Sequence, residues 1–151
     1  MVLLISAVML GMLLLVAPLR RNGFYMLHML IVIVAAWWVE TTYFYDKNLP
    51  DFIVGWKSVA LMFAVFHLIS VNVVTFLAYG FDKRAAQKNY RRIPENQLHT
   101  LEFMGGWCGA ILGQKFFHHK TKKASYQSFF WAMFIAEILV VYIILKYLRF
   151  I

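Results

Sequence analysis

The polar chemistry of this sequence is concentrated between Phe81 and Lys123, FDKRAAQKNYRRIPENQLHTLEFMGGWCGAILGQKFFHHKTKK, where two basic clusters bracket a short, glycine-marked apolar run. Asp82, Lys83, Arg92 and Glu95 fall in the first cluster, and His119, Lys120, Lys122 and Lys123 in the second. Carboxylates among so many cations form ion pairs that fix loops. The surplus Lys and Arg can meet phosphate, Arg in a bidentate fashion. An anionic lipid headgroup or a phosphorylated ligand suits this set; the plainer alternative is a headgroup-facing collar that only anchors the fold. His118 and His119 are adjacent, so on a helix they point about 100° apart. With Asp82 or Glu95 they make no ligand-spacing motif, so neither a metal nor a cofactor is expected. Cys108 lies in an apolar run without a base near it in sequence, and no catalytic residue is assigned. The basic loops are short and poor in aromatics apart from Tyr90, which does not favour nucleic acid.

A second polar set is scattered through apolar segments: His28, Glu40, His67, Asn72 and Glu137. A charge there costs about 2.5–3.5 kcal/mol on insertion scales, so such side chains face protein and find partners. Interhelical hydrogen bonding is the plain reading. A proton or cation path is the functional one, and it calls for a homo-oligomer because four helices enclose little space.

These residues need elements to hold them. The chain is 151 residues long and 62% hydrophobic, with fifteen Lys+Arg and seven Asp+Glu for a formal charge of +8. That balance fits a small integral membrane protein whose basic loops face the cytoplasm and anionic lipid. The lone Cys108 excludes an intrachain disulfide. Val2–Leu19 reads as a first crossing, with Arg20 and Arg21 after the apolar run and no small-residue cleavage site. Gly23–Tyr45 reads as a second crossing, its Trp37, Trp38, Tyr43 and Tyr45 suiting an interfacial belt. After a turn over Asp46–Asp51, Ser58–Phe81 is the third, and Ala124–Leu145 the last. Pro94 suits the first turn of a new helix with Glu95 at its positive end.

The helix over Asn96–Gln114 has only eleven uninterrupted apolar residues, Phe103–Gly113, short for a span. Gly105, Gly109 and Gly113 recur every fourth residue and offer one face for close packing, while Gly106 falls off that row and is expected to matter less. If this helix re-enters, eleven of the fifteen basic residues face inward; if it spans, nine do. The positive-inside rule therefore favours a re-entrant or interfacial segment, an N-terminus outside and both basic clusters in the cytoplasm. In that topology His67 and Glu137 lie about 21 Å and about 20 Å from the cytoplasmic end, which predicts that they pair.

Asp82-Lys83, Ala85-Ala86, Arg92-Ile93-Pro94-Glu95, Leu98, Gly105-Gly106 with Gly109, then His119-Lys120-Thr121 and Lys123 closely resemble the bacterial family called domain of unknown function 1294. The likeness runs over residues 59–147. Arg91 stands where an aromatic is usual, and Tyr126 where Phe is usual. The resemblance implies a small integral membrane protein, supplies no activity, and suggests that Asp82, Arg92, Glu95, His119 and Lys120 belong to one site. Some relatives carry a cold-shock domain ahead of this core, where residues 1–57 here read as a transmembrane helix pair and 58–151 as the core.

The expected protein is thus all-α, with four transmembrane helices and one short re-entrant or interfacial helix, in the cell's inner membrane. Its expected role is a non-enzymatic module that binds anionic lipid headgroups or a phosphorylated ligand through its basic loops. An ion or proton conduit and a lipid-modifying membrane enzyme are the alternatives.

Overall fold

In a computed structural model, residues 11, 23–39, 41–42, 56–121 and 123–147 are described. All elements among them are helical. α1 is Gly23–Val39, α2 Trp56–Gln87, α3 Glu95–Leu101, α4 Trp107–Phe117 and α5 Ala124–Tyr147, with a widened π turn over Glu102–Gly106 between α3 and α4. The expected first crossing, the Asp46–Asp51 turn, Glu40 and Lys122 lie outside the described residues. Among the described residues, two helical stretches are long and apolar enough to cross a membrane, Leu61–Gln87 and Ala124–Ile143, while Gly23–Val39 is apolar but shorter.

The chain forms two compact units, residues 1–74 and 75–151. In the first, α1 and the N-terminal part of α2 pack antiparallel. Val32 and Ala36 meet Phe63, flanked by Met62 and Phe66. Further along, the His28 ring reaches Ser70 Oγ through Nδ1 and His67 Nδ1 through Nε2, each at 3.0 Å.

In the second unit the chain turns three times. Asn89, left-handed at φ 54°, closes α2, as an asparagine can with little penalty. Pro94 then starts α3 with Glu95 in its first turn, and the Gln97 N–H donates to the Pro94 carbonyl at 3.0 Å. α3 runs back along α2 until Gly105, whose φ of 97° only glycine adopts without strain, reverses the chain. α4 then descends in the direction of α2. Gly106 lies against Thr75, Gly113 against Tyr79, and Phe117 against Gly80. α5 returns antiparallel to α4, with the Phe134 ring 5.0 Å from Trp107. Residues 95–117 therefore leave and return to one end of the unit. The reversal beside Thr75 is seven residues above Asp82, about 10 Å along the α2 axis.

Three expectations need correcting. Asp82, Lys83 and Arg84 are on α2, which continues to Gln87, and not in a loop; the alanines at 85 and 86 sustain the helix. The segment expected as one helix over Asn96–Gln114 is two helices joined at a kink. Because the kink falls on Gly105, that residue does not continue a helical row with Gly109 and Gly113, although all three are buried. Gly106, expected to matter less, is more tightly enclosed than Gly113. A Cβ there would lie 2.6 Å from the Leu101 carbonyl oxygen and closer still to Thr75 Oγ1.

Candidate functional site

Asp82 is the hub of the site. Its carboxylate is fully buried, yet four groups reach it. The Ile93 N–H donates to Oδ1 at 3.0 Å, and His119 Nε2 lies 2.8 Å from Oδ2. Lys120 Nζ and an Arg92 guanidinium nitrogen each stand 3.5 Å from Oδ2. Burial of an isolated carboxylate is prohibitive, and this convergence of donors and cations is what permits it.

Glu95 forms the second anionic post. It accepts from Lys120 Nζ at 3.2 Å and from Lys123 Nζ at 2.8 Å. The Lys123 hydrogen bond, opposed in part by burial, holds its carboxyl below the ordinary carboxylate value. Lys120 joins both posts, and its ammonium also sits 4.6 Å from the centre of the Tyr126 ring.

The intervening turn is shaped for this. His118 and Lys120 take left-handed backbones, φ 49° and 60°, and such a conformation costs a non-glycine residue about 1–2 kcal/mol. The left-handed cap at His118 ends α4 and lets the His119 N–H donate back to the Gln114 carbonyl at 3.1 Å. The strain at these two positions turns His119 and Lys120 inward, where the ion pairs with Asp82 and Glu95 offset it.

Asp82, Arg92, Glu95, His119, Lys120 and Lys123 are thus brought together. Arg92, His118, His119, Lys120, Thr121 and Lys123 line an open cleft of about 550 Å³ over them. Lys83 is not in this cluster. It lines a separate groove of about 510 Å³ with Arg84, Lys88, Gln87, Leu77, Gly80, Phe81 and Phe117. His67 and Glu137 belong to different compact units. In its own unit His67 is hydrogen-bonded to His28, and Glu137 is half-buried on α5.

A buried network went unrecognised in the sequence. Glu102, 2% exposed, accepts from Tyr126 Oη at 2.6 Å and from Tyr79 Oη through Oε1, and its Oε2 lies 2.6 Å from His99 Nδ1. The two tyrosine oxygens are 2.7 Å apart, and Gln114 Nε2 donates to Tyr79 Oη at 3.1 Å. Gln127 links Gln114 Oε1 to the Lys120 carbonyl, which ties this network to the Asp82 cluster. The available signal was Glu102 three residues after His99, a spacing that places both on one helical face.

The comparisons with known proteins fall on this region. Residues 72–126 match the family model described as "Protein of unknown function (DUF1294)". No solved structure matches the chain. The "Uncharacterized protein YsdA" of Bacillus subtilis (strain 168) is 39% identical over 61 residues, which span 40% of this chain and 68% of that relative. The matched residues contain the Asp82 cluster and, of the Glu102 network, Tyr79, His99, Glu102, Gln114 and Tyr126, and the chain belongs to the family described as protein of unknown function (DUF1294).

Proposed function

We propose that this is an integral membrane module that holds anionic phospholipid headgroups at the end of the 75–151 unit where its two basic loops meet. The observation that carries this reading is the groove of Lys83, Arg84 and Lys88 beside Leu77, Phe81 and Phe117. Among the described residues, three cations and three large apolar side chains line it, and no carboxylate does. That is the polarity of a phosphate with an acyl chain attached. Arg92 and Lys123, each 53% exposed at the side chain, extend the positive surface over the neighbouring cleft, while Asp82 and Glu95 are occupied in holding the loops.

Membrane residence rests on the two long apolar stretches. Only 11% of the apolar window of Ala124–Ile143 is buried, and Ile135, Ile138, Leu139, Val140, Val141 and Ile143 are all exposed, so hydrocarbon is their natural solvent. In this reading the chain crosses four times with its N-terminus outside. Residues 95–117 form a re-entrant hairpin that reaches about a third of the way into a ~30 Å core, and both basic loops are cytoplasmic.

Native mass spectrometry of the detergent-solubilised protein tests the binding. Phosphatidylglycerol should be retained over phosphatidylcholine, and Lys83→Gln/Arg84→Gln/Lys88→Gln should abolish the preference. Free glycerol 3-phosphate should compete poorly if the acyl chain contributes, and well if a phosphorylated metabolite is the true ligand. Equal retention of the two lipids would overturn the reading.

The hydrogen-bonded chain Ser70–His28–His67 favours one second reading, a proton path. Proton flux in liposomes that disappears with His28→Phe would support it; no flux would leave the chain as a device that pairs α1 with α2.

A further inference from the structure

His99 is held as few surface histidines are. Its Nδ1 lies 2.6 Å from the buried Glu102 carboxylate, its ring stacks on Tyr126 with centroids 4.3 Å apart, and Phe129 packs on it at 4.6 Å. Glu102 Oε1 faces two tyrosine hydroxyls and Oε2 faces the ring. An ionised carboxylate there can only accept, and beside it Nδ1 carries the proton. In the neutral ring that leaves Nε2 as an acceptor. Among the described residues no hydrogen-bond partner meets Nε2, and His99 lines an open groove of about 480 Å³ between α3 and α5. That volume is within the roughly 300–1,000 Å³ of small-molecule sites.

The walls of this groove sort by polarity. Asn96, Thr100 and Ser125 lie with His99 toward the loops, and Phe103, Phe129 and Met133 line the rest. Among the described residues, the one charged side chain lining it is Glu95, whose carboxylate is bound to Lys120 and Lys123. Acceptors and hydroxyls without a free cation do not suit an anionic head. They suit an uncharged head that donates hydrogen bonds, attached to one apolar chain.

We propose that the α3–α5 groove binds an uncharged acylglycerol, its hydroxyl donating to His99 Nε2 and its chain lying on Phe103, Phe129 and Met133. Glu102 is a positioning residue: it fixes the tautomer that accepts. A carboxylate behind a histidine whose other nitrogen faces a hydroxyl is also the geometry by which a histidine takes a proton as general base.

The site differs from the phosphate-binding surface, and its test is independent of it. Protein labelled with [15N]histidine, in phosphatidylcholine nanodiscs, would be titrated with 1-monooleoylglycerol. The resting spectrum should show His99 protonated at Nδ1, and the Nε2 resonance should move saturably on titration. Methyl oleate, which lacks the hydroxyls, and oleate, which is anionic, should each leave Nε2 unmoved. Glu102→Gln should mix the tautomers and weaken the response at least tenfold. Phe103→Trp, which fills the groove without touching the dyad, should abolish binding while keeping the Nδ1–H tautomer. A resting Nε2–H tautomer, or equal shifts with methyl oleate or oleate, would overturn the proposal.

Discussion

His119 Nε2 stands 2.8 Å from Asp82 Oδ2, thirty-seven residues away in the chain, and through that contact the loop after α4 is fastened to the end of α2. Asp82→Asn keeps an oxygen for the Ile93 N–H but removes the charge that faces His119, Lys120 and Arg92. Asp82→Ala removes both. The expected order of Tm is native, then Asn, then Ala, with Ala lower in stability by about 3 kcal/mol, the scale of breaking a buried pair. Thermal unfolding in detergent measures it. A Tm for Asp82→Asn equal to that of the native protein would show that the charge contributes nothing.

Glu95 gives a pH-dependent companion. Its folded-state value is depressed below the ordinary 4.5, first by the Lys123 hydrogen bond. The stability it contributes is therefore fully present above that ordinary value and is lost as pH falls through the folded one. Native protein and Glu95→Gln should differ in Tm at about pH 7 and converge once the pH has fallen through the depressed folded value. A constant gap across that range would assign the difference to packing instead.

Tyr126→Phe removes one of the donors that converge on Glu102. An under-satisfied buried acceptor costs about 1–3 kcal/mol. Tyr79→Phe acts on the same oxygen, so the two losses should not add. A double-mutant cycle with zero coupling energy would contradict the shared network.

The glycines can be ranked by what a side chain would meet. Gly106→Ala forces a Cβ against the Leu101 backbone carbonyl and should destabilise most. Gly105→Ala imposes a left-handed alanine, about 1–2 kcal/mol. Gly80→Ala meets only the tip of the Phe117 ring, which can rotate away, and should be mild. Refolding yields or Tm values in the reverse order would remove the kink from the account.

Both loops should be reachable from one side of the membrane. In a Cys108→Ser background, Asn89→Cys and Thr121→Cys should react with an impermeant thiol reagent only from the cytoplasmic face. Labelling from opposite faces would rule out the re-entrant hairpin.

How much of this was legible beforehand depended on the residue. Pro94 followed by Glu95 announced α3 because both act locally, within one turn. The glycine spacing announced close packing but hid the kink, since a four-residue row says nothing about φ at Gly105. The charge count put Asp82 and His119 on the same side and the family resemblance put them in one site; nothing local to either residue names the other. The Glu102 network was not legible at all. Its tyrosines lie 23 and 24 residues away inside apolar helices, where a hydroxyl reads as an interfacial ring and not as a donor.

The reversal at Gly105 sets an order for biosynthesis. Residues 95–117 are made before α5, and their apolar run is too short to settle in a bilayer unaided. At that stage Glu102 has Tyr79 and His99 beside it but lacks Tyr126, and Trp107 lacks Phe134. The hairpin gains its closing wall only when the final helix leaves the ribosome. A chain truncated after Lys123 would therefore carry a half-satisfied carboxylate at the membrane and present a target for quality-control proteolysis, whereas a cut beyond Phe134 would not.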